Sequence, residues 1–294
     1  MTSFELHLPS KYSAAFENRD DSTNVPLPLP QNLLERLSTF TLRCDWDGTR
    51  WLEAALGHCV NVETLTVDFI REFWWEYRSE RLLNSGLLLP KLRTLRLQNV
   101  VADTIDVLQV LKAPQLVELD IDFDTDEQHY DWELSKPLLS FIERSKCDTT
   151  LRLFHLRYAC IRTQDLSATL CGLPFLTHLT LEGISTETSF IEASVQREHG
   201  LGPLLPNLET LDFLQLQPDF VPYPLLKFLK ARREYHLENG KPVFTNPQDT
   251  LKQLTVTYQK TTKKNQELDK SEVVEVLRKW GGVFVNIGPI LYVD

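Results

Sequence analysis

The chain has 294 residues, of which 42% are hydrophobic, and it carries a formal net charge of −10 at pH 7 with a sequence pI near 5.3. This apolar share is that of an ordinary globular protein and excludes disorder of the whole chain. The acidic balance argues against nucleic acid or an anionic membrane as the main ligand, because both require clustered lysine and arginine. A basic protein partner fits the charge better.

Neither a secretory signal nor a membrane span is visible. The first ten residues lack a basic flank followed by an apolar run, and no window approaches the roughly 18 uninterrupted apolar residues of a membrane helix. The cysteines are odd in number, scattered, and form no C-x-x-C pair, which excludes the common zinc and redox motifs; they are Cys44, Cys59, Cys147, Cys160 and Cys171. We therefore expect buried, reduced thiols and a cytoplasmic or nuclear location.

The predicted elements begin after a lead-in over residues 1–30. This segment contains Asp20-Asp21-Ser-Thr-Asn and then Pro26-Leu-Pro-Leu-Pro30. Its composition predicts a poorly ordered, partly extended segment that caps the structure following it.

From residue 37 onward, one short phrase recurs: an apolar residue, two spacers, an apolar residue, one spacer and a third apolar residue. The eight copies place apolar residues at Leu37, Phe40 and Leu42; Val62, Leu65 and Val67; Leu92, Leu95 and Leu97; Leu116, Leu119 and Ile121; Leu151, Phe154 and Leu156; Leu176, Leu179 and Leu181; Leu208, Leu211 and Phe213; and Leu251, Leu254 and Val256. Their spacing runs from 24 residues (92 to 116) to 43 residues (208 to 251). This pattern indicates a leucine-rich repeat, whose unit is a short strand and a return helix, with loop insertions in the longer units.

Apolar residues at helical spacing between the phrases predict the return helices. The helical faces are Trp51, Leu52, Ala55 and Leu56; Ile105, Leu108 and Leu111; Leu138, Phe141 and Ile142; Leu166, Leu170 and Leu173; Leu225, Phe228 and Leu229; and Val273, Val276, Leu277 and Trp280. Asp103 is placed to cap the second helix, and Asp269 with Glu272 resembles a capping box for the last.

The predicted architecture is an α/β leucine-rich repeat solenoid over residues 31–294, with about eight repeats. Each strand lies parallel to the next, so the strands line the concave side of a curved arc and the helices line the convex side. Gly281-Gly282 ends the final helix, and Val283-Phe-Val-Asn-Ile287 is predicted to be a capping strand.

These phrases, preceded by Leu-Pro or Ala-Pro, resemble the repeat region of F-box/LRR proteins, especially the large fungal set with irregular repeats. The resemblance covers roughly residues 33–294. In that family an N-terminal F-box docks onto an adaptor of a cullin ubiquitin ligase, and the repeats select the substrate. Leu29-Pro30-Gln-Asn-Leu33-Leu34-Glu-Arg-Leu37 resembles the opening of an F-box, but the alternation of residues 40–44 predicts a strand where further F-box helices would follow. The resemblance thus implies a member without an intact F-box, which has either lost it or been cut from a longer chain, and adaptor binding is not expected.

Alternation along each strand predicts two outward rows of side chains, because successive side chains point to opposite faces. The central row is Thr41, Thr66, Arg96, Asp120, His155, Thr180, Asp212 and Thr255, and the adjoining row is Arg43, Asp68, Gln98, Asp122, Arg157, Glu182, Leu214 and Thr257. We predict that partner binding involves Arg96, Asp120, Asp122, His155, Arg157, Glu182 and Asp212. An ordinary solvated strand face remains the alternative.

The acidic segment from Asp120 to Glu133 has two interpretations. Counted from Asp122, oxygen-bearing residues fall at positions 1, 3, 5 and 12 of a calcium loop, but Glu127 occupies position 6, where the sharp turn requires glycine. A solvated acidic loop that attracts a basic partner is the better interpretation, and no metal site is predicted.

An aromatic insertion over residues 69–80 is the sharpest local anomaly. It contains Trp74, Trp75 and Tyr77, and tryptophan, tyrosine and arginine dominate interface hot spots. We predict that these three residues contribute to partner binding. In the alternative, Phe73 and Tyr77 pack as one face of a helix.

Enzymatic signatures are missing, since the chain has no G-x-x-x-x-G-K-[ST], G-x-S-x-G or H-E-x-x-H motif. We therefore predict a non-enzymatic protein–protein interaction module without a cofactor, specifically a substrate-recognition domain of F-box/LRR type that lacks the F-box. The alternative is an enzyme regulator, an inhibitor or activator, whose acidic concave face binds a basic protein.

Overall fold

The computed structural model describes residues 2–7, 29–44, 56–69, 80–101, 104–125, 134–184, 205–216, 220–232, 235–238, 241–244, 250–259 and 272–290. The chain forms two compact units, the first of residues 1–129 with 136–151 and the second of residues 130–135 with 152–294. The single repeat domain over residues 31–294 stays a prediction.

The first unit is built on five parallel strands that are neighbours in chain order. They are β1 (Ser3–His7), β2 (Thr39–Cys44), β3 (Thr64–Phe69), β5 (Thr94–Val100) and β7 (Glu118–Phe123). A separate parallel pair consists of β4 (Leu87–Leu88) and β6 (Leu111–Lys112). The described helices are α1 (Gln31–Leu34), α2 (Glu80–Ser85), a 3-10 helix (Thr104–Gln109) and α3 (Ser135–Ser145), which lies in this unit from residue 136.

The second unit repeats this plan. Its parallel strands are β8 (Leu153–Arg157), β9 (His178–Glu182), β10 (Thr210–Leu216), β13 (Gln253–Tyr258) and β14 (Phe284–Pro289). An antiparallel pair is formed by β11 (Tyr235–Glu238) and β12 (Lys241–Phe244). The described helices are α4 (Thr163–Cys171), α5 (Tyr223–Arg232) and α6 (Glu272–Arg278). The predicted α/β class, the parallel strands and the final strand are confirmed.

The recurring phrase supplies the core. All 24 apolar positions of the eight phrases (8 × 3) are buried, and none is more than 4% exposed. The pairing of adjacent strands places equivalent phrase positions side by side, since Leu65 pairs with Leu95 and Leu95 with Leu119. Burying one such side chain contributes about 2 kcal/mol, so the phrases contribute substantially to the driving force for folding.

A forked hydrogen bond anchors the start of seven of the parallel strands, β2, β3, β5, β7, β9, β10 and β13. The N–H groups of Arg93 and Thr94 both donate to the carbonyl of Glu63, at 2.8 and 3.0 Å. The other carbonyls that accept two consecutive N–H groups in this way belong to Thr2, Ser38, Arg93, Arg152, Thr177 and Glu209. This fork recurs at the same place in the phrase and fixes the register of each of these seven strands against the preceding strand of its sheet.

A side chain just before the phrase also reaches back to the preceding repeat. Asn61 donates to the carbonyl of Glu35 at 2.6 Å, Asn207 to that of Pro174 at 3.0 Å, and Thr250 to that of Pro206 at 2.9 Å. In all three pairs the donor lies one residue before its phrase and the acceptor two residues before the previous phrase. The repeats are therefore equivalent in their turns as well as in their strands.

Three of the six predicted helical faces are confirmed. Buried apolar residues lie at Leu138, Phe141 and Ile142 in α3, at Leu166 and Leu170 in α4, and at Leu225, Phe228 and Leu229 in α5. The face predicted for α6 is wrong in part, because Val274 is buried while Val276 is 44% exposed. Leu111 belongs to the short strand β6, where Leu87 N–H donates to the preceding Val110 carbonyl. Trp51, Leu52, Ala55, Asp103 and Asp269 lie outside the described residues.

The structure places a strand inside the segment that the sequence predicts to be a lead-in. Strand β1 pairs with β2, and the ring of Phe4 stacks on that of Phe40 with centroids 6.0 Å apart. Residues 8–28 of the lead-in lie outside the described residues.

The cysteines are buried as predicted at three described positions, Cys59, Cys147 and Cys160. Burial raises the pKa of the Cys59 thiol to about 12 and that of Cys147 to about 11. The prediction is wrong for Cys171, which is exposed, because it follows Leu170 by one residue in α4 and so points about 100° away from the buried face. The side chain of Cys44 lies outside the described residues.

Candidate binding face

The outward side chains of the parallel strands form a polar face in each unit. In β3, for example, Leu65 and Val67 are buried, whereas Thr64, Thr66 and Asp68 are partly exposed. The first polar face includes Thr41, Arg43, Thr66, Asp68, Arg96, Gln98, Glu118, Asp120 and Asp122, and the second includes His155, Arg157, Thr180, Glu182, Asp212, Leu214, Thr255, Thr257, Phe284 and Asn286.

The predicted central row is confirmed within each unit. In the first unit Thr41 pairs with Thr66, Thr66 with Arg96, and Arg96 with Asp120. In the second unit His155, Thr180, Asp212 and Thr255 follow one another in the same way. The structure thus brings most predicted binding residues onto one face of their own unit.

Ion pairs between neighbouring strands tie the first polar face together. Arg43 Nε lies 3.3 Å from Asp68 Oδ2, and Arg96 Nη2 lies 3.1 Å from Glu118 Oε1. Thr94 Oγ1 also donates to Glu118, at 3.4 Å. Glu118 was not among the predicted binding residues. It directly precedes the buried Leu119, however, and alternation along the strand places it on the same face as Asp120.

The second polar face has the same kind of pairing. His155 Nε2 lies 3.3 Å from Glu182 Oε2, and Lys252 Nζ lies 2.7 Å from Glu209 Oε2. Hydrogen bonding from Lys252, reinforced by its charge, holds the pKa of Glu209 below its usual range. Both faces therefore contain acidic and basic side chains that lie side by side.

A recurring three-residue chain spans three strands in each unit. In the first, Arg43 pairs with Asp68, which accepts a hydrogen bond from Asn99 Nδ2 at 2.7 Å. In the second, His155 pairs with Glu182, which accepts one from Gln215 Nε2 at 2.6 Å. The carboxylate side chains are only 16% and 17% exposed, and each is contacted by a basic side chain on one side and an amide on the other.

The amide in each chain comes from a residue with left-handed backbone at the end of its strand. Asn99 has φ 54° and Gln215 has φ 57°. Each lies two residues after the third apolar position of its phrase, where the pairing between strands shifts register. The sequence signal for this site is an asparagine or glutamine at that position, and the sequence analysis missed it.

Tyr158 and Gly183 occupy the equivalent left-handed positions of β8 and β9, with φ 54° and 59°. A Cβ atom built on Gly183 would lie 2.5 Å from Cδ1 of Tyr158. Gln215 Nε2 also donates to the Tyr158 hydroxyl, at 3.1 Å. Glycine is therefore required for the Tyr158 ring to lie across the end of β9 and reach Gln215.

Three aspartates predicted to bind a partner differ in exposure. Asp120 is buried, with 7% exposure, and presents little surface to a partner, whereas Asp122 is partly exposed. Asp212 is also partly exposed, and its Oδ1 atom accepts no hydrogen bond from the described residues. Arg96, His155, Arg157 and Glu182 are all partly exposed.

Part of the predicted site lies outside the described residues. This applies to Trp74, Trp75 and Tyr77 and to residues 126–133 of the acidic segment. Within the described ranges, no group of three or more histidine, cysteine, aspartate or glutamate side chains is placed to hold a metal ion. Among the helices that the structure describes, none has the length and apolar character needed to cross a membrane.

Comparisons with known proteins identify no family for this chain. The chain matches no protein-family model, and a search of curated proteins finds no match. The geometry of the two polar faces, with their hydroxyls, amides and paired charges held at fixed strand spacing, is therefore the main guide to function.

Proposed function

We propose that this protein is a protein–protein interaction module of the leucine-rich repeat type, and that a protein partner binds its polar faces. The observation that carries the proposal is the in-register outward row, in which neighbouring side chains are held by cross-strand contacts such as those of Asp68 and Glu182. Side chains that are already ordered lose less entropy on binding. Aligned strands of a repeat protein are also the surfaces that such proteins use for recognition.

In its finer form, the proposal is a cytoplasmic or nuclear substrate-recognition domain of F-box/LRR type without an F-box. Its eight repeats and capping strand would form a curved arc with the strands on the concave side. The phrase pattern supports this form, as do the buried phrase positions and the parallel pairing within each unit.

The alternative, an enzyme regulator with an acidic face for a basic protein, has weaker support. Three acids of the polar faces, Asp68, Glu118 and Glu182, are each within 3.3 Å of a basic side chain on a neighbouring strand. Such pairing reduces the long-range field that would attract a basic protein. The alternative predicts that binding weakens steeply with salt and is lost in Asp122→Lys.

Cross-linking in cells followed by mass spectrometry tests the proposal. We expect partner cross-links to map to the outward strand residues, and we expect Thr66→Arg or Thr180→Arg to weaken the captured partner at least tenfold. Val276→Arg is the matched control, because it adds the same charge to an exposed position on α6. Equal loss in all three variants, or cross-links confined to helices, would contradict the proposal.

Two further measurements separate the finer possibilities. Purified ubiquitin-ligase adaptor is expected not to bind, and tight binding would mean that a functional F-box exists. Trp74→Ala and Trp75→Ala test the aromatic insertion, and we expect at least a tenfold loss of partner affinity if these rings act as anchors.

A further inference from the structure

One acid of the second polar face stands apart from its neighbours. Glu182 lies 3.3 Å from His155 and Glu209 lies 2.7 Å from Lys252. Asp212 lies on β10 between Thr180 and Thr255, and its Oδ1 accepts no hydrogen bond from the described residues. Asp212 itself is partly exposed and has no basic side chain beside it among the described residues, so the accessible part of its carboxylate is open to a cation from a partner.

A large apolar side chain is exposed on the same face. Phe284 pairs in register with the outward Gln253 at the start of β14, and it is 69% exposed. Its neighbours in the strand, Val285 and Ile287, point the other way, and Ile287 is buried. An exposed phenylalanine is the type of residue that anchors protein interfaces.

The spacing between these two residues limits what can touch both. Asp212 is in register with Asn286, two strands away, and Phe284 lies two residues before Asn286. With strands about 4.8 Å apart and a rise of about 3.3 Å per residue, the two positions are roughly 12 Å apart. In an extended segment, residues four apart point the same way and span about 13 Å.

We propose that the second polar face binds an extended segment of the partner protein that carries a lysine or arginine and, four residues away, an apolar side chain. The cation is accepted by Asp212, and the apolar side chain packs on Phe284. This inference rests on the proposed function and specifies the chemistry of the partner.

Synthetic nine-residue peptides test the proposal by fluorescence anisotropy. The probe has a lysine at its third position, a leucine at its seventh, and serine or glycine elsewhere. One matched peptide carries glutamate at the third position, and another carries the leucine at the sixth. We expect the probe to bind at least tenfold more tightly than either matched peptide.

Variants of the full chain assign each preference to its residue. Asp212→Asn should remove the preference for lysine over glutamate, and Asp212→Lys should reverse it. Phe284→Ser should remove the preference for leucine at the seventh position. Glu272→Gln, at an exposed position on α6, is the control and should retain both preferences. Each variant should unfold at the same urea concentration as the wild type, within error.

Failure of this inference is distinguishable from failure of the proposed function. If the probe shows no preference or no binding, or if Asp212→Lys leaves the preference unchanged, the inference is overturned. Partner cross-links to the outward strand residues would then still support the proposed function. If those cross-links are also absent, both are overturned.

Discussion

At the scale of single residues, Gly183 is the position most tightly constrained by its surroundings. Its φ of 59° is unfavourable for any residue with a Cβ atom, and such an atom would lie 2.5 Å from the Tyr158 ring. In the sequence, Gly183 is simply a glycine that follows a predicted strand. Neither its positive φ nor its contact with the Tyr158 ring could be predicted from that. Tyr158 and Gln215, which meet over this glycine, are 57 residues apart in the chain.

We predict that Gly183→Ala lowers the free energy of unfolding by about 1–3 kcal/mol, because the backbone is strained and the Tyr158 ring must move. Urea unfolding followed by circular dichroism measures the change. Gly288→Ala is the control, since a Cβ atom there would meet nothing within 4 Å. A Gly183→Ala protein as stable as that control would show that the ring and backbone adjust freely.

The thiols give a second prediction at this scale. The pKa of Cys59 is raised to about 12 and that of Cys147 to about 11 by burial, whereas a thiol in the unfolded chain titrates near 9. The folded state therefore binds more protons than the unfolded state above pH 9, and stability should fall as the pH rises from about 9 to 11. We expect Cys59→Ala to show a shallower fall across that window in urea unfolding, and an unchanged slope would contradict the assignment.

At the scale of the repeat element, apolar periodicity was enough to predict the strands and their inward faces. Leu95, Leu119 and Leu179 are buried as predicted, because the second and third phrase positions are two residues apart and one orientation of the strand buries both. The helices were harder to predict. In α6 the sequence offers Val273, Val274 and Val276, and the choice of Val274 as the buried residue depends on tertiary packing.

The inward face gives a direct prediction. Leu179→Ala should cost about 2–5 kcal/mol of unfolding free energy, because it leaves a cavity in a tightly packed core. Thr180→Ala, one residue along the same strand and half-buried on the polar face, should change it by about 0.5 kcal/mol or less. Equal effects of the two substitutions would mean that the strand is oriented differently.

The side chains that donate hydrogen bonds to carbonyl groups of the preceding repeat give another prediction about stability. Asn61→Ala should destabilise the protein by about 1 kcal/mol, since the Glu35 carbonyl loses a donor in a partly buried site. Asn207→Ala removes the equivalent bond to Pro174 in an exposed site, where water replaces the donor. We therefore expect a smaller loss for Asn207→Ala in parallel urea titrations, and the opposite order would refute the argument.

At the scale of the whole molecule, the strands of the large parallel sheet follow chain order within each unit, whereas the short strands β4 and β6 pair separately. Repeat proteins built in this way derive their stability from each repeat and from its interfaces with the adjacent repeats. The same strand order places the outward side chains on the polar faces. Which acidic and basic side chains would lie together could not be predicted, because Arg43 and Asp68, or His155 and Glu182, become neighbours only when the strands pair.

The order of the strands predicts which of them lose protection from amide hydrogen exchange after a substitution in the core. In Leu179→Ala, amide hydrogen exchange should increase most in β8, β9 and β10, and least in β14 of the same unit. In Leu65→Ala, β2, β3 and β5 should be affected more than β7. Mass spectrometry of peptic peptides resolves these strands. A uniform increase across the unit would indicate one cooperative block instead of coupled neighbours.

The forked carbonyls have a consequence for how such a chain tolerates change. The carbonyl oxygen of Glu209 accepts hydrogen bonds from the N–H groups of both Lys252 and Gln253. The register of β13 against β10 is therefore set at the first residue of β13, whatever the length of the connection that precedes it. The interval from 208 to 251 is the longest of the series, yet Thr210 still meets Gln253 and Leu211 still meets Leu254. We therefore expect that lengthening or shortening such a connection leaves the inward and outward orientation of the β13 side chains unchanged.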